Sequence, residues 1–344
     1  MKASAPAKLT AIRPSRLDIS ANRNEFLMTL NRRSTISAML FRLGLGLFLL
    51  AGSGSCFGQA LPPVRGMYTP GFNATNSGVM PEPGFTYGQS FMDYSFDQFR
   101  SASGTTVAQN NAAVFMDINA FEWVAKKKIL GANYALAVLL PFSNSSISSP
   151  TLGAIGGGGG FSDSFYQPLT LGWHFKRADV QVAYGFFAPT GRFTVGATNN
   201  TGTGHWTNSP TAGETFYLTK NKRTSISAYQ LYEVHTSQQG TNIHPGQAFN
   251  LDYSLMQIHP LQKEMLTLLQ FGLVGYGQWQ TSNNSGPGVN PVLPGHYRVN
   301  AIGGAGEVIL PARKVSVGFK LFKEFSNSST VQGYSLQIVG GITF

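Results

Sequence analysis

Apolar and polar residues alternate one by one along most of this chain. Leu169, Leu171, Trp173 and Phe175 oppose Thr170, Gly172, His174 and Lys176. Phe249, Leu251, Tyr253 and Leu255 oppose Asn250, Asp252 and Ser254. Val315, Val317, Phe319 and Leu321 oppose Ser316, Gly318 and Lys320, with Glu324 further along the polar face. A period of two predicts strands whose faces meet different surroundings. The same rule, applied near the start, sets Met92, Tyr94 and Phe96 against Asp93, Ser95 and Asp97, and Val114, Met116 and Ile118 against Asp117 and Asn119. The chain ends on an alternation in which Tyr334, Leu336, Ile338, Gly340, Ile342 and Phe344 share one face.

Two kinds of connection take turns between these segments. Short ones fall at 126–128, 176–179, 220–223, 259–264 and 311–314. Longer stretches rich in Ser, Asn, Gly and Thr lie at 100–111, 143–162, 189–211, 236–246 and 281–296, with a shorter one at 326–330. Counting the segments between them gives about twelve strands, with both ends on the short-turn side. Short turns on one rim and long loops on the other are the layout of an outer-membrane barrel, short turns in the periplasm. The run Gly156 to Gly160 falls in a long loop and predicts flexible low complexity; no helix pattern or Lys follows it to make a phosphate cradle.

Composition agrees. Charged residues are 12%, aromatics 12%, and Gly 40 of 344, about half the charge of a soluble domain. No apolar run after residue 60 reaches the roughly 18 residues a helical span needs. The expected fold is therefore all-β, a transmembrane antiparallel up-and-down barrel of about twelve strands over residues 84–344, in the bacterial outer membrane. A soluble sandwich would also alternate, but it does not account for the low charge or the apolar terminus. Leu171, Trp173, Leu251, Tyr253, Phe319, Ile338 and Phe344 are expected to face lipid. Asp93, Asp97, Asp117, Asn119, His174, Lys176, Glu233, Asn250, Asp252, Lys320 and Glu324 are expected to line the lumen, either as a narrow path or as pairs that fill it.

The N-terminus predicts a signal peptide over residues 1–60: Arg32 and Arg33, an apolar stretch from Ala38 to Ala51, then small residues to Gly58-Gln59-Ala60, with cleavage before Leu61. Met28 would give a leader of ordinary length and is a candidate start. Cys56, the only cysteine, has Ser53 rather than Leu three residues before it, against lipidation. The formal charge of +10 is largely the leader's: residues 1–60 hold eight Lys or Arg and two acids, so the remainder carries +4 and nucleic-acid binding loses its support.

Residues 61–83 contain Pro62, Pro63, Pro70, Pro81 and Pro83 and do not alternate, so they are not expected to join the wall. Composition suits a disordered periplasmic tether. The alternative is a segment that starts in the periplasm, enters the lumen and plugs it, Arg65 meeting Asp93, Asp97 or Asp252.

The six histidines fall in different strands or loops without metal-site spacing, and no Gly-x-Ser-x-Gly elbow is present. Neither a metal, a cofactor nor catalysis is expected.

Several phrases carry a resemblance: Pro70-Gly71-Phe72-Asn73-Ala74 with Gly78-Val79-Met80-Pro81-Glu82-Pro83-Gly84, Gln167 to His174, Ala188-Pro189-Thr190-Gly191-Arg192-Phe193, Gly246 to Tyr253, and Val274-Gly275-Tyr276. In this order and spacing the chain resembles the outer-membrane transporter family of the phenol meta-degradation pathway, whose relatives include the pore that exports functional amyloid. The resemblance implies a single barrel that moves small apolar or aromatic compounds passively, and no catalytic residues. The helical extension of the amyloid-exporting relatives has no counterpart in residues 61–83, which makes a secretion pore for an amyloid-like substrate the lesser branch. A structural or surface-interaction barrel with a closed lumen is the other alternative. The ending on Phe344 resembles the C-terminal signal strand of outer-membrane barrels, which implies the barrel-assembly machinery as a partner beside membrane lipid and a small apolar solute.

Overall fold

A computed structural model describes residues 65–149, 153–262, 266–289 and 296–344. The expected leader, its cleavage before Leu61, Met28, Cys56 and the first prolines of the following segment lie outside the described residues.

Thirteen strands form one antiparallel sheet: β1 (Gly84–Arg100), β2 (Thr106–Ile129), β3 (Ala132–Ser149), β4 (Gly153–Phe161), β5 (Ser164–His174), β6 (Ala178–Ala188), β7 (Thr207–Tyr217), β8 (Thr224–His235), β9 (Ala248–Pro260), β10 (Leu268–Gln280), β11 (Arg298–Leu310), β12 (Val315–Glu324) and β13 (Val331–Thr343). Neighbours in sequence pair around the ring, β2 to β3 included, and β1 pairs with β13 from Thr86↔Thr343 to Phe99↔Val331. The wall is thus closed by twelve strands, and closure removes the unpaired edges that a membrane would not tolerate. The thirteenth strand, β4, pairs only with β3, which in the wall lies between β2 and β5.

β4 includes Gly156 to Gly160, expected as loose loop; here the run lies in a hairpin with Ile147↔Gly156 and Ser143↔Gly160 in register. A second difference concerns the first turn. β2 runs on through Lys126, Lys127 and Lys128, and the chain reverses at Leu130 and Gly131 with φ of 52° and 77°. Positive φ at both central residues matches the twist of a two-residue hairpin. A leucine there gives no sequence signal.

Outside, apolar side chains form the lipid belt: Phe319 is 52% exposed, Ile338 49%, and Leu171, Trp173, Leu251 and Tyr253 share the same face. Aromatics gather at the short-turn rim, where Phe85 packs 6.1 Å from the 68%-exposed Phe344 and 6.3 Å from Phe121, centroid to centroid. Such girdles mark the interface of the hydrocarbon. Inside, the buried face is polar: Ser225, Ser227, Asn250, Asp252, Ser254, Gln270, Gln278, Lys320, Glu324 and Gln337 are all buried.

The faces of β1 and β2 are opposite to expectation. Asp93 pairs with Leu336 and Phe115, both exposed, and is itself exposed on the outer wall. Asp97 is the extra residue of a bulge between Phe96 and Gln98 and is also exposed. Asp117 and Asn119 point outward with Phe115 and Trp123, while Met92, Tyr94 and Ile118 turn inward. These outward polar groups satisfy one another: Tyr87 donates to Asn119 at 2.7 Å, and Gln89 and Asn119 donate to Asp117 at 3.2 and 3.3 Å. A polar group within an apolar surrounding persists when so paired. The misassignment follows from aromatics on both faces of β1. Tyr94, on the inner face, packs on the inserted chain at Arg65 rather than on lipid. Lys176 is corrected too: it lies exposed in the turn after β5, not on the lumen wall.

Because a one-residue slip exchanges the faces, the register has a direct test. Phe319→Arg is expected to lower stability by about 2–4 kcal/mol in urea unfolding from lipid vesicles. Asp93→Leu, on the same outer surface, is expected to be neutral or stabilising.

Candidate functional site

Residues 65–83 lie inside the barrel. Thr69-Pro70-Gly71-Phe72 makes a tight turn, with Phe72 N–H donating to Thr69 O at 3.2 Å and Gly71 at φ +80°. Pro second and Gly third is the type II pattern. A Cβ on Gly71 would also stand 2.6 Å from the ring of Phe322, so the position requires glycine twice over. Prolines and this turn deny the segment a place in the sheet, so its backbone polar groups need other partners.

The wall supplies them. Glu233 accepts from Met67 N–H at 2.6 Å and Tyr68 N–H at 3.0 Å. Asp252 accepts from Gly71 N–H at 2.9 Å, Asn73 N–H at 3.0 Å and the Tyr68 hydroxyl at 2.5 Å. Lys320 donates to Gly71 O and Phe72 O at 2.8 and 2.5 Å. Gln278 donates to Tyr68 O and Gln337 to Pro70 O, at 3.2 and 3.0 Å, and Asn76 exchanges two 2.9 Å bonds with Gln270. Lower down, Ser77 O accepts from Gln181 at 2.6 Å and Gly78 N–H donates to Thr215 at 3.0 Å. Burial and then the Asp252 carboxylate push the Tyr68 phenol above its ordinary pKa.

At the long-loop end, Arg65 binds Glu324 through two nitrogens, at 2.7 and 2.9 Å. Burial works against this cation, but Glu324 outweighs it and holds the guanidinium above its ordinary pKa. Glu324 also accepts from Tyr94, Tyr276, Asn327 and Gly333 N–H at 2.9 to 3.0 Å. Arg65 was expected to meet Asp93, Asp97 or Asp252. The first two point outward and the third is taken by the turn, which leaves Glu324. The direction of travel also differs from expectation. The segment descends from Arg65, beside the long-loop end of β12, to Met80, which packs on Val124 and Ala135 near the short-turn rim and then leads into β1.

Of the residues expected to line the lumen, Glu233, Asn250, Asp252, Lys320 and Glu324 face inward but hold the segment rather than bordering free space. Asn250 donates to Glu233 at 2.8 Å and accepts from Gln278 at 2.6 Å. His174 lies at the short-turn mouth, 3.1 Å from Asp179. Sequence reasoning passed over Gln270, Gln278 and Gln337, although their inward position follows from the alternation of β10 and β13. It also passed over Tyr94, assigned to lipid, and Glu122.

Most of the segment's bonds go to β7 to β13, with Arg65 against β1, Ser77 bonded to β6 and Met80 against β2 and β3, and free space remains on the side of β2, β3, β5 and β6. A cavity of about 310 Å³ lies between Phe72, Thr75 and Pro81 of the segment and a wall of Ile118, Ala120, Ala137, Leu139, Phe165, Phe187 and Leu231, with Glu122, Gln167, Gln181 and Tyr229 as its polar wall groups. It extends from Phe187 to Gln181, six residues or ~20 Å along β6. A second space of about 200 Å³ lies by Ser316, Lys320 and Gly341.

Comparison with curated protein sequences gave no match. Among solved structures, an outer membrane channel from Pseudomonas putida F1 is similar at TM-score 0.64 and 15% identity, covering 78% of this chain and 98% of that one. The β domain of the Bordetella autotransporter BrkA is similar at TM-score 0.48 and 10% identity, covering 76% and 100%. The first likeness supports the fold. The family described as "Putative MetA-pathway of phenol degradation" matches residues 96–338, from the upper part of β1 to the middle of β13. With that match over most of a closed twelve-stranded wall, the chain belongs to this family of β-barrels of the bacterial outer membrane.

Proposed function

We propose that this barrel is a passive channel for small hydrophobic or aromatic compounds, its bore narrowed by residues 65–83. The observation that carries the reading is the one-sided cavity: the inserted segment takes up Glu233, Asp252, Lys320 and Glu324 and leaves free a space whose strand wall is mainly Ile, Leu, Ala and Phe side chains. A path of that lining lowers the cost of moving an apolar solute past a polar leaflet, and its width excludes large ones. The family match and the similarity to a solved outer membrane channel agree with it. No catalytic step is needed. The exposed ring of Phe344 at the end of β13 would serve the assembly machinery during insertion.

The test is uptake of an uncharged two-ring aromatic dye into vesicles with a lipopolysaccharide outer leaflet, the barrier such a channel would bypass. Uptake is expected to exceed that of empty vesicles and to fall when Ala137→Trp fills the cavity. Equal uptake with and without protein would favour a closed, structural barrel.

A further inference from the structure

The larger cavity has a single carboxylate on its wall, Glu122, on β2 opposite Thr86 and Ala137 and so toward the short-turn end. It follows Ile118 and Ala120 on the inward face and precedes Val124, which packs under Met80. Among the described residues no hydrogen-bond or ion-pair partner meets its carboxylate, and no Lys or Arg lines the cavity. Glu233, Asp252, Lys320 and Glu324 are bonded to the segment, and Glu307 lies by Lys320 at the second cavity. Three of the other donors around the cavity are engaged. Gln167 donates to Thr170 at 2.6 Å, Gln181 to Ser77 O at 2.6 Å, and Tyr68 to Asp252. The cavity therefore offers a solute an apolar wall, neutral polar groups of the segment at Thr69, Asn73 and Thr75, and one carboxylate.

Resting on the proposed passage, we propose that Glu122 is its specificity-determining residue, a station that favours small aromatic or aliphatic solutes bearing an ammonium or other hydrogen-bond-donating head and disfavours anions of the same size. The chemistry is that of a carboxylate in a confined apolar space. A donor or cation meets it with a charge-assisted bond, a neutral body passes beside it on the Ile118 and Leu139 side, and a carboxylate or sulfonate is repelled with no cation nearby to offset the repulsion.

The experiment is a bi-ionic reversal potential in planar bilayers at pH 8.5, where Glu122 is a carboxylate and the amine is still an ammonium, with 2-phenylethylammonium chloride on one side and sodium benzenesulfonate on the other, and sodium chloride gradients to subtract the small ions. The purified full-length protein and its Glu122→Gln, Glu122→Lys and Glu307→Gln variants are compared, each first shown to be folded by heat-modifiable migration. Wild type is expected to favour the aromatic cation by about tenfold or more, the ratio that one charge-assisted hydrogen bond commands. Glu122→Gln is expected to bring the ratio close to one and Glu122→Lys to invert it. Glu307→Gln, which removes an inward carboxylate of the other cavity, is expected to leave it unchanged. Aromatic current without cation preference, or a preference that survives Glu122→Gln, overturns the assignment and leaves the channel standing. No aromatic current of either sign in the wild-type protein overturns both. A preference lost equally in Glu307→Gln would show that overall lumen charge, not Glu122, is the selector.

Discussion

Deleting residues 62–80 is expected to raise single-channel conductance several-fold while the barrel still assembles. Wall strands are closed by their own ladder, from Thr86↔Thr343 at the seam around to β2 with β3, and nothing in that ladder passes through the segment. The segment instead fills part of the lumen, most of its bonds going to β7 to β13, and its removal would free Glu233, Asp252, Gln278 and Lys320 to line water. A twelve-stranded ring is wider than the eight-stranded kind that side chains alone can fill, so an emptied lumen conducts. The deletion should also erase any preference imposed at Glu122, because the cavity loses the Phe72 and Pro81 side that makes it narrow. Planar-bilayer recording of the refolded variant checks it. A correctly folded deletion variant with wild-type conductance would remove the segment from the permeation mechanism and leave lumen side chains as the constriction.

How much of this was legible in the sequence depends on what each strand face meets. In β5, β9, β12 and β13 one face meets lipid and the other a polar interior, so Leu251 against Asp252, or Phe319 against Lys320, is enough to orient the strand. In β1 and β2 the rule misleads. Tyr94 turns inward to Arg65 and Glu324, and Asp117 turns outward within its own hydrogen-bonded group. Alternation reports the contrast between two faces and not which of them is lipid. The inserted segment presents a related problem. Its prolines exclude it from the wall, but composition has no term for the acids across the lumen that need donors. Glu233 and Asp252 can be placed on inner faces by parity. That their partners would be backbone N–H groups of residues 67–73 is a property of the folded geometry, fixed by the turn at Gly71. The site is therefore half legible: the residues of the wall, but not what they hold.

The pairing of Arg65 with Glu324 leads to an asymmetric expectation. Glu324→Ala strands the Arg65 guanidinium in a buried place, where its remaining acceptors among the described residues, Tyr94, Thr330 and Val331 O, are all uncharged. Breaking a buried pair from the side that leaves a charge behind costs about 3–5 kcal/mol. The chain can avoid that penalty only by releasing the top of the segment, so the variant is expected to show frequent large openings toward the conductance of the 62–80 deletion. Arg65→Ala is milder. Glu324 keeps Tyr94, Tyr276, Asn327 and Gly333 N–H as donors, so the loss should be nearer the roughly 1.5–3 kcal/mol of a hydrogen bond to a charged group. The double variant is expected to be no worse than Glu324→Ala alone, since no unpaired charge is left, and a double-mutant cycle on open probability measures the coupling. Additive effects of the two substitutions would mean that Arg65 and Glu324 do not act as a pair, and that the segment is held in the lumen by Glu233, Asp252 and Lys320 without this latch.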